Sequence, residues 1–459
     1  MTFNSAQLLS TLAQHPKPKA YWVAYSGGLD STVLLHSLVN AGDALQAEAK
    51  AVHVNHGLQK EAKDWEQHCQ HFCKSLNVPL MSLSVNVDKK SGEGIEATAR
   101  NERYMAFGSI MNKGDVLCLA HHQNDQAETL LLQLLRGAGV AGMSAMPEAK
   151  PFADGLMLRP LLPFSRADLE NYANQHNLKW IEDPSNEQIS FDRNYLRHEV
   201  MPVIQQRWVA ASRTLARGAA HMAEANDLLA EVAEQDWLAI SEADDRCMSI
   251  SGLQKLSLSR QRNVMRFWLN KINKAPVPDT QRLGQIFNEV VEAADDAEPC
   301  LQWQGIAIRR YRQTLYVTAS ELPQAEALVW NLSKPLSIPL LGFCLHTEQL
   351  DIDGLDAGLV GQKGIRIDFR HGGETCQPAG RGGQRHELKK LMQEWGIPPW
   401  QRERVPLLYV GNTIAAVVGY CVCEGFAAAA GVPGIGIKIE DLSRGSIATA
   451  GENNDNSQD

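Results

Sequence analysis

The chain has 459 residues, of which 44% are hydrophobic and 21% are charged, and its net charge is −9. This length predicts about three domains of roughly 150 residues each, and the composition excludes a disordered or fibrous chain. The negative charge argues against a protein that coats nucleic acid without discrimination. No stretch approaches the roughly 18 apolar residues of a membrane span, and the N-terminus lacks a basic cluster followed by an apolar core. We therefore expect neither export nor membrane insertion.

The N-terminal third of the chain alternates strand-length apolar runs with helical patterns. In the segments between the runs, apolar positions recur every three or four residues, as amphipathic helices require. Alternating strands and helices imply parallel strands joined by right-handed crossovers, so we predict an α/β fold with a doubly wound parallel sheet. The predicted strands are residues 20–25, 50–56, 79–85 and 115–121. Ligands of such sheets bind outside the carboxyl ends of the strands.

The rest of the chain predicts two further domains and a tail. An N-terminal domain over 1–205 is followed by a mainly helical middle domain over 206–325, because the sequence reads as helical from Tyr195 to about Glu242. Short alternating runs with many glycines predict a small α+β C-terminal domain over 326–440. The polar, acidic residues 441–459 are predicted to be disordered.

The nine cysteines are scattered along the chain and form no C-x-x-C pair. Spacing puts Cys69 and Cys73 on one helical face, and Cys421 and Cys423 on one strand face. A secreted scaffold has a denser, even-numbered pattern. We interpret these residues as buried free thiols of a cytoplasmic protein.

The sharpest local feature is the sequence SGGLDST, directly after the first predicted strand and directly before an amphipathic helix. Two glycines let the backbone approach an anion, and the hydroxyl and N–H groups at a helix start can bind phosphate. Asp30 can hold a divalent cation there. A helix N-cap with turn glycines would explain Ser26 and the glycines, but not the aspartate and both hydroxyls. We predict a phosphate-binding loop formed by Ser26, Gly27, Gly28, Leu29, Asp30, Ser31 and Thr32.

A second polar constellation begins at His121, where the fourth predicted strand ends and another helix starts. His121, Asp125 and Glu128 are spaced to share one helical face, so the carboxylates can hold Mg²⁺ or a cationic amine. Two other interpretations stay open. One is a zinc site of His121, His122 and Asp125, which has no sulfur partner, and the other is a helix start stabilised by its acidic residues.

Three arginines in the N-terminal region stand out for different reasons. Arg100 lies one helical turn after Glu96, which alone indicates an ordinary surface ion pair. Arg193 and Arg197 lie in the first turns of a predicted helix, after a Pro-ordered acidic turn. A cationic helix start is unfavourable unless an anion docks there, so we predict that these two arginines contact an anion.

Taken in order, these motifs resemble the tRNA(Ile)-lysidine synthetase family, whose catalytic domain is an N-type ATP pyrophosphatase, or PP-loop, domain. The resemblance runs through SGGLDST, HVNHGLQ, EATARNERY, AHHQNDQAETLLLQLLRG, RPLL, EDPSN and DRNYLR. A further segment, residues 369–409, is similar to the family's tRNA-binding end domain. The region from about 206 to 325 carries no motif that we can match. Several motifs in the same order are more specific than any one of them.

The resemblance implies a two-step reaction on the wobble cytidine of the isoleucine tRNA with the anticodon CAU. ATP adenylates the 2-carbonyl oxygen of this base and pyrophosphate leaves. The amine of free L-lysine then attacks the activated carbon and expels AMP, which gives lysidine. AMP is a good leaving group where a carbonyl oxygen is a poor one, and Mg²⁺ would stabilise the charge on pyrophosphate.

The resemblance also implies roles for individual residues. Asp30 and Asp125 are expected to serve Mg²⁺ and the phosphates, Arg100 and His121 to line the nucleotide or the activated base, and Glu128 to help seat lysine. The expected catalytic residues are therefore Asp30, Arg100, His121 and Asp125. The candidates for tRNA contact are Arg193 and Arg197 and, in the C-terminal domain, Arg381, Arg385, Lys389 and Lys390. The expected cofactors are ATP as co-substrate and Mg²⁺, and the oligomeric state is left open.

Three rival functions are weighed on the same sequence. A tRNA thiolase generally needs paired catalytic cysteines or an iron–sulfur site, and no C-x-x-C lies near the loop. An amidotransferase needs a glutaminase module with its own nucleophilic cysteine, which we do not find. A non-catalytic RNA-binding module would have no use for the intact set of Asp30, His121 and Asp125.

Overall fold

The structure, a computed structural model, describes residues 3–55, 62–85, 95–241, 244–294, 297–351, 354–360, 364–429 and 431–442. The Glu96 side chain, the end of the HVNHGLQ motif and most of the predicted tail, residues 443–459, lie outside this part. The chain forms two compact units, Met1–Val232 and Ala233–Asp459, named here the N-terminal and the C-terminal unit. The boundaries of the three predicted domains stay predictions.

The N-terminal unit is built on a six-stranded sheet with the order β3-β2-β1-β4-β6-β5. Its strands are β1 Ala20–Ala24, β2 Glu48–Asn55, β3 Leu80–Ser84, β4 Val116–Cys118, β5 Ala149–Phe152 and β6 Gly155–Leu158. All neighbours pair in parallel except β5, which is antiparallel to β6. The four predicted strands and the doubly wound α/β class are confirmed. The β5–β6 hairpin is an addition that the sequence patterns did not indicate.

Helices cover both faces of this sheet. The helices of the N-terminal unit are α1 Ser5–Leu12, α2 Leu29–Asn40, α3 Ala62–Ser75, α4 Ile95–Gly108, α5 Gln123–Leu135, α6 Val140–Met143, α7 Arg166–Gln175, α8 Asp192–Tyr195 and α9 Met201–Arg207, and α10 Ala211–Ile240 begins in this unit. Of these, α1, α2, α3 and α7 contribute to the buried cluster on one face, and α4 contributes to the cluster on the other. Successive strand residues point to opposite faces, so Trp22, Leu117 and Met157 belong to one buried cluster, and Val23, Cys118 and Leu158 to the other. Burial on both faces is what a parallel sheet requires.

The strand order reverses between β1 and β4. From β1 the chain proceeds outward to β2 and β3, and then returns to β4 on the other side of β1. The connections after β1 and after β4 therefore leave the same edge of the sheet side by side, which is the ligand-binding position in open α/β sheets.

The first part of the C-terminal unit is a four-stranded antiparallel sheet with helices. The sheet has the order β7-β10-β9-β8, with β7 Cys247–Ser249, β8 Cys300–Trp303, β9 Ile306–Tyr311 and β10 Thr314–Ala319. Its helices are α11 Ile250–Gln254, α12 Leu258–Phe267 and α13 Thr280–Gln285, and they pack around the fully buried Trp268. The helices agree with the predicted middle region, and the sheet is an addition to it.

The remainder of the C-terminal unit is α+β, as predicted. A five-stranded sheet has the order β11-β14-β17-β18-β19, a three-stranded sheet has the order β12-β13-β20, and β15 and β16 form a two-stranded hairpin. The strands are β11 Leu328–Val329, β12 Leu336–Ile338, β13 Phe343–Leu350, β14 Ile365–Asp368, β15 Thr375–Cys376, β16 His386–Glu387, β17 Leu407–Val410, β18 Thr413–Val417, β19 Cys421–Val422 and β20 Gly434–Asp441. The helices are α14 Ala357–Val360, α15 Leu388–Glu394 and α16 Pro399–Arg402. Across the described ranges, each helix is too short or too polar to cross a bilayer.

Candidate functional site

The loop between β1 and α2 is held in a shape that requires glycine at one position. Gly27 has φ +85°, and a Cβ there would come within 2.8 Å of the Ile181 side chain. The Ile181 N–H donates to the Gly27 carbonyl at 2.8 Å, which ties the loop to the segment before the EDPSN motif. Gly28 is the N-cap of α2, and the Ser31 hydroxyl donates to its carbonyl at 3.0 Å. The loop therefore presents the N-terminus of a 12-residue helix at the carboxyl end of β1.

The predicted phosphate-loop residues divide into two groups. Ser26 is exposed, and Asp30 and Gly28 are partly exposed, whereas Leu29 and Thr32 are buried. The Ser31 hydroxyl accepts from the Ser26 N–H at 3.2 Å. Gly27 and Ser31 are buried as well, so solvent reaches the loop only at Ser26, Gly28 and Asp30.

His122 joins this loop to the connection after β4, although the sequence directed attention to His121. His122 is 1% exposed and is the N-cap of α5. It exchanges hydrogen bonds with Asp125: the His122 N–H donates to Asp125 Oδ2 at 3.0 Å, and the Asp125 N–H donates to His122 Nδ1 at 3.4 Å. Its Nε2 lies 3.7 Å from Asp30 Oδ1. His122 thus connects the two carboxylates.

The surroundings of the Asp30 carboxylate are suited to binding a cation. Its Oδ1 is buried and has no hydrogen-bond partner among the described residues, and its Oδ2 lies 3.7 Å from Arg166 Nη1. Burial raises the pKa of Asp30, although His122 and Arg166 act against that shift. The unpartnered oxygen at a helix start fits Mg²⁺, which prefers carboxylate oxygens.

Asp125 and Glu128 form a four-member ion network with Arg193 and Arg197. Glu128 is 2% exposed, and it accepts from Arg193 Nε at 2.9 Å and from Arg197 Nε at 2.8 Å. Asp125 Oδ1 accepts from Arg193 Nη2 at 2.9 Å and from Arg197 Nη2 at 3.1 Å. Burial alone would raise the pKa of Asp125, but His122 and Arg193 hold that pKa well below its usual range.

This network bears on three of the sequence predictions. Arg193 and Arg197, predicted to contact tRNA, direct their guanidinium groups to the carboxylates of α5. Glu128, predicted to help seat lysine, has both oxygens engaged by these arginines. Arg197 lies in a π-helical turn, Leu196–Val200, a distortion often found at functional sites. The predicted contacts of all three residues with substrates stay predictions.

His121 lines a cleft beside the network. The cleft has a volume of ≈ 300 Å³ and is also lined by Asn186, Phe191 and Asn194. Burial lowers the pKa of His121 to about 3, and the charges of Arg159, Arg193 and Arg100 act in the same direction. His121 is therefore uncharged at neutral pH, and its Nδ1 has no hydrogen-bond partner among the described residues.

Arg100 and Arg159 complete the cationic surroundings of His121. Arg100 is exposed and lies over the Tyr104 ring at 5.2 Å. Arg159, from the RPLL motif, is 3% exposed and donates to the Pro147 carbonyl at 2.6 Å. Its burial was not indicated by the sequence. In the described part of the chain, His121, His122 and Asp125 do not come together as a metal-ligand group, which disfavours the zinc interpretation.

The four C-terminal candidates belong to the hairpin region of the C-terminal unit, and all four are exposed. Arg381 and Arg385 lie between β15 and β16, and Lys389 and Lys390 lie in the first turn of α15. Arg381 pairs with Glu394 at 2.8 Å, and Lys390 lies 3.4 Å from a Glu387 oxygen. These exposed cations form a basic surface suited to phosphate contact.

Comparisons with known proteins agree on one family. The profile of the PP-loop domain matches residues 1–204, that of the TilS substrate binding domain matches 248–316, and that of the TilS substrate C-terminal domain matches 365–439. The chain is 44% identical to a tRNA(Ile)-lysidine synthase of Coxiella burnetii, over 93% of this chain and 94% of that protein. It is 41% identical to a tRNA(Ile)-lysidine synthase of Alkalilimnicola ehrlichii, over 92% and 95% of the two chains.

One solved structure is similar only at a low level. The U34-tRNA thiolase NcsA from Methanococcus maripaludis, with its [4Fe-4S] cluster, aligns at a TM-score of 0.42 and 16% identity, over 48% of this chain and 77% of that one. This similarity is too low to support a functional assignment.

The ion network predicts a large cost for removing its buried member. Glu128→Ala removes the more deeply buried of the two carboxylates that pair with Arg193 and Arg197 and leaves them only Asp125, so it should lower the free energy of unfolding of the N-terminal unit by about 3 kcal/mol. The matched control is Asp192→Ala, which removes an exposed partner of Arg136 and should cost less than about 1 kcal/mol. Urea unfolding of both variants tests this, and equal losses would show that the network stabilises no more than a surface pair does.

Proposed function

The chain belongs to the tRNA(Ile)-lysidine synthase family, and we infer that it converts the wobble cytidine of tRNA(Ile) with the anticodon CAU to lysidine. The 2-carbonyl oxygen of the base attacks the α-phosphorus of ATP, and pyrophosphate leaves. The amine of free L-lysine then attacks the C2 carbon, and AMP leaves with the former carbonyl oxygen. The observation that supports this best is the meeting of Asp30, His122 and Asp125 at the ends of β1 and β4.

We propose that the β1–α2 loop binds the ATP phosphates. The N-terminus of α2 supplies unpaired backbone N–H groups and the positive end of the helix dipole. Gly27 lets the loop pack against Ile181, and Gly28 has no side chain at the partly exposed start of α2, so the pyrophosphate can approach the backbone closely there. Ser26 supplies an exposed hydroxyl on the same loop, whereas the buried Ser31 hydroxyl donates to the Gly28 carbonyl and fixes the shape of the loop.

We propose that Asp30 holds Mg²⁺ when ATP binds. Its buried Oδ1 lacks a hydrogen-bond partner among the described residues, which supports this assignment. The ion would neutralise charge that develops on the departing pyrophosphate. Asp125 was predicted as the second ligand, but its oxygens are engaged by His122, Arg193 and Arg197. For Asp125 to bind the metal, one of these contacts must break.

We propose that His121 and Arg100 line the site of the activated base. The uncharged imidazole of His121 can accept a hydrogen bond, and the guanidinium of Arg100 can stabilise negative charge on the phosphates. Glu128 remains the proposed lysine contact. The ammonium of an incoming lysine would replace one of its two arginine partners, so that the buried carboxylate is never left without a cation.

We further propose that the exposed cations of the C-terminal unit bind the tRNA backbone, and that the reaction takes place in the cytoplasm. All nine cysteines are free thiols, a state that a reducing compartment preserves. The division into a catalytic domain, 1–205, a middle domain, 206–325, and a C-terminal domain, 326–440, stays a proposal.

The first functional prediction concerns the product. Incubation of the protein with ATP, L-lysine and tRNA(Ile) should produce AMP and a tRNA whose mass has increased by one lysine less one water. Ammonia or a sulfur donor in place of lysine should give no such product. Mass analysis of the tRNA decides this, and a mass gain matching sulfur would favour the thiolase alternative.

The second functional prediction concerns the Asp30 carboxylate. Asp30→Asn keeps the size of the side chain but removes its charge, so tRNA-dependent pyrophosphate release should fall by at least about 100-fold, the scale of losing one group that stabilises transition-state charge. Asp43→Asn, at an exposed acid of the same unit, should retain activity. Thermal melting must confirm that both variants fold. Normal turnover in folded Asp30→Asn would remove Asp30 from the reaction.

The third functional prediction concerns the C-terminal basic surface. Arg385→Ala with Lys389→Ala should weaken tRNA binding and reduce the slope of log affinity against log salt by about 0.7–0.9 for each phosphate that is no longer neutralised. Lys17→Ala with Lys113→Ala is the charge-matched control from the N-terminal unit. Labelled tRNA is titrated at several salt concentrations. Unchanged slope and affinity would assign this surface to solvent and direct attention to residues 255–274, which carry six basic and no acidic side chains.

A further inference from the structure

Three cysteines of the C-terminal unit come together although they are far apart in sequence. The sulfur atoms of Cys376, Cys421 and Cys423 all lie within 4.8 Å of one another. Cys376 is 4% exposed and Cys423 is 2% exposed, while Cys421 is partly exposed. Nothing in the reaction proposed above uses these thiols.

The backbone accounts for this convergence. Cys421 and Cys423 are two residues apart at β19, so their side chains point to the same face. The segment after β15 runs antiparallel to them, because the Ala379 N–H donates to the Val422 carbonyl and the Glu424 N–H donates to the Gln377 carbonyl. These two bonds bring Cys376 opposite the pair.

The surroundings separate the cluster from bulk water while leaving one route in. Cys376 and Cys423 belong to a small apolar core with Leu388, Met392 and Ile414. Cys421 is the member that solvent reaches.

We propose that Cys376, Cys421 and Cys423 form a binding site for a soft divalent cation, with Zn²⁺ as the best-suited ion. Thiolates select such ions, and a tetrahedral site with Zn–S bonds of about 2.3 Å puts its sulfurs about 3.8 Å apart. The three sulfurs therefore need to move by no more than about an ångström. Water can complete the tetrahedron on the open side at Cys421.

Metal binding at these three cysteines would change the charge of the cluster and would constrain the fold around it. Binding releases the thiol protons to solvent, and three thiolates with Zn²⁺ leave one net negative charge, which the partly exposed position of Cys421 leaves open to solvent. The metal would link β15 to β19 and so close the loop that carries Arg381 and Arg385. The site is therefore structural, and its existence does not depend on the enzymatic function proposed above.

The alternative is that the three thiols are packed as small apolar side chains, as free cysteines often are. Zn²⁺ would then bind to the cluster no more tightly than it binds to the other cysteines of the chain. Cys344 is the matched comparison, because it is a buried cysteine of the same unit that lies outside the cluster.

The test is cobalt and zinc titration of the reduced full-length protein, after a thiol count has verified all nine free cysteines. We expect one equivalent of Co²⁺ to give the thiolate charge-transfer band and the intense visible bands of a four-coordinate ion, and Zn²⁺ to displace it. Serine substitution at Cys376, Cys421 or Cys423 should each weaken binding by at least about 100-fold, more than the loss of an outer-shell partner usually costs. Cys344→Ser should bind normally.

A second measurement uses the unaltered protein, so it tests the proposal even if the serine variants do not fold. In the unaltered protein, Zn²⁺ should protect Cys376, Cys421 and Cys423 from alkylation while the exposed Cys300 stays reactive, as followed by peptide mass analysis. Absence of the cobalt–thiolate bands together with unchanged alkylation would overturn the proposal. Equal loss of metal in Cys344→Ser and Cys376→Ser would overturn it as well.

Discussion

The parallel pairing of β1 with β4 is the constraint on which the candidate site depends. The register Tyr21↔Val116, Trp22↔Leu117 and Val23↔Cys118 makes the two strands end side by side. Each strand is followed by a loop and then a helix, so the N-termini of α2 and α5 meet at one edge of the sheet. His122 and Asp30 therefore lie 3.7 Å apart although they are far apart in the chain.

Buried carboxylates and the arginines that pair with them determine the structure at this edge of the sheet. Placing Asp125 and Glu128 in a water-poor setting is costly unless cations accompany them, and Arg193 and Arg197 supply those cations from the segment after the EDPSN turn. The segment just before that turn reaches back to the phosphate loop through the Ile181–Gly27 hydrogen bond. Ion pairing and loop geometry are thus fixed by one continuous stretch of chain, which holds the site in place before a substrate arrives.

The sequence predicted the parts of the site that follow from local pattern. Alternating apolar runs predicted the first four strands, and the position of SGGLDST predicted a loop at a strand end. It did not identify His122 as the bridge, because His121 and His122 are adjacent and only the N-cap geometry of α5 distinguishes them. The sequence also did not indicate the ion pair between Arg193 and Glu128, because other helices separate these two residues along the chain.

In the C-terminal unit, too, local sequence patterns left features unpredicted that depend on contacts between distant residues. Cys421 and Cys423 were predicted to share a strand face, but the approach of Cys376 depends on a hairpin that pairs in a register no local pattern specifies. The sheet formed by β7 to β10 was likewise not indicated, because its short strands are interleaved with strongly helical segments. Non-local pairing of this kind is what single-sequence patterns leave undetermined.

The central claim is that ATP activates the base by adenylating its 2-carbonyl oxygen at the edge formed by β1 and β4. The most direct test uses tRNA(Ile) whose wobble cytidine carries a heavy oxygen isotope at that carbonyl, incubated with the protein, ATP and lysine. The claim predicts that the released AMP carries the heavy oxygen, because the carbonyl oxygen leaves with the phosphate. AMP of ordinary mass, formed together with lysidine, would contradict it.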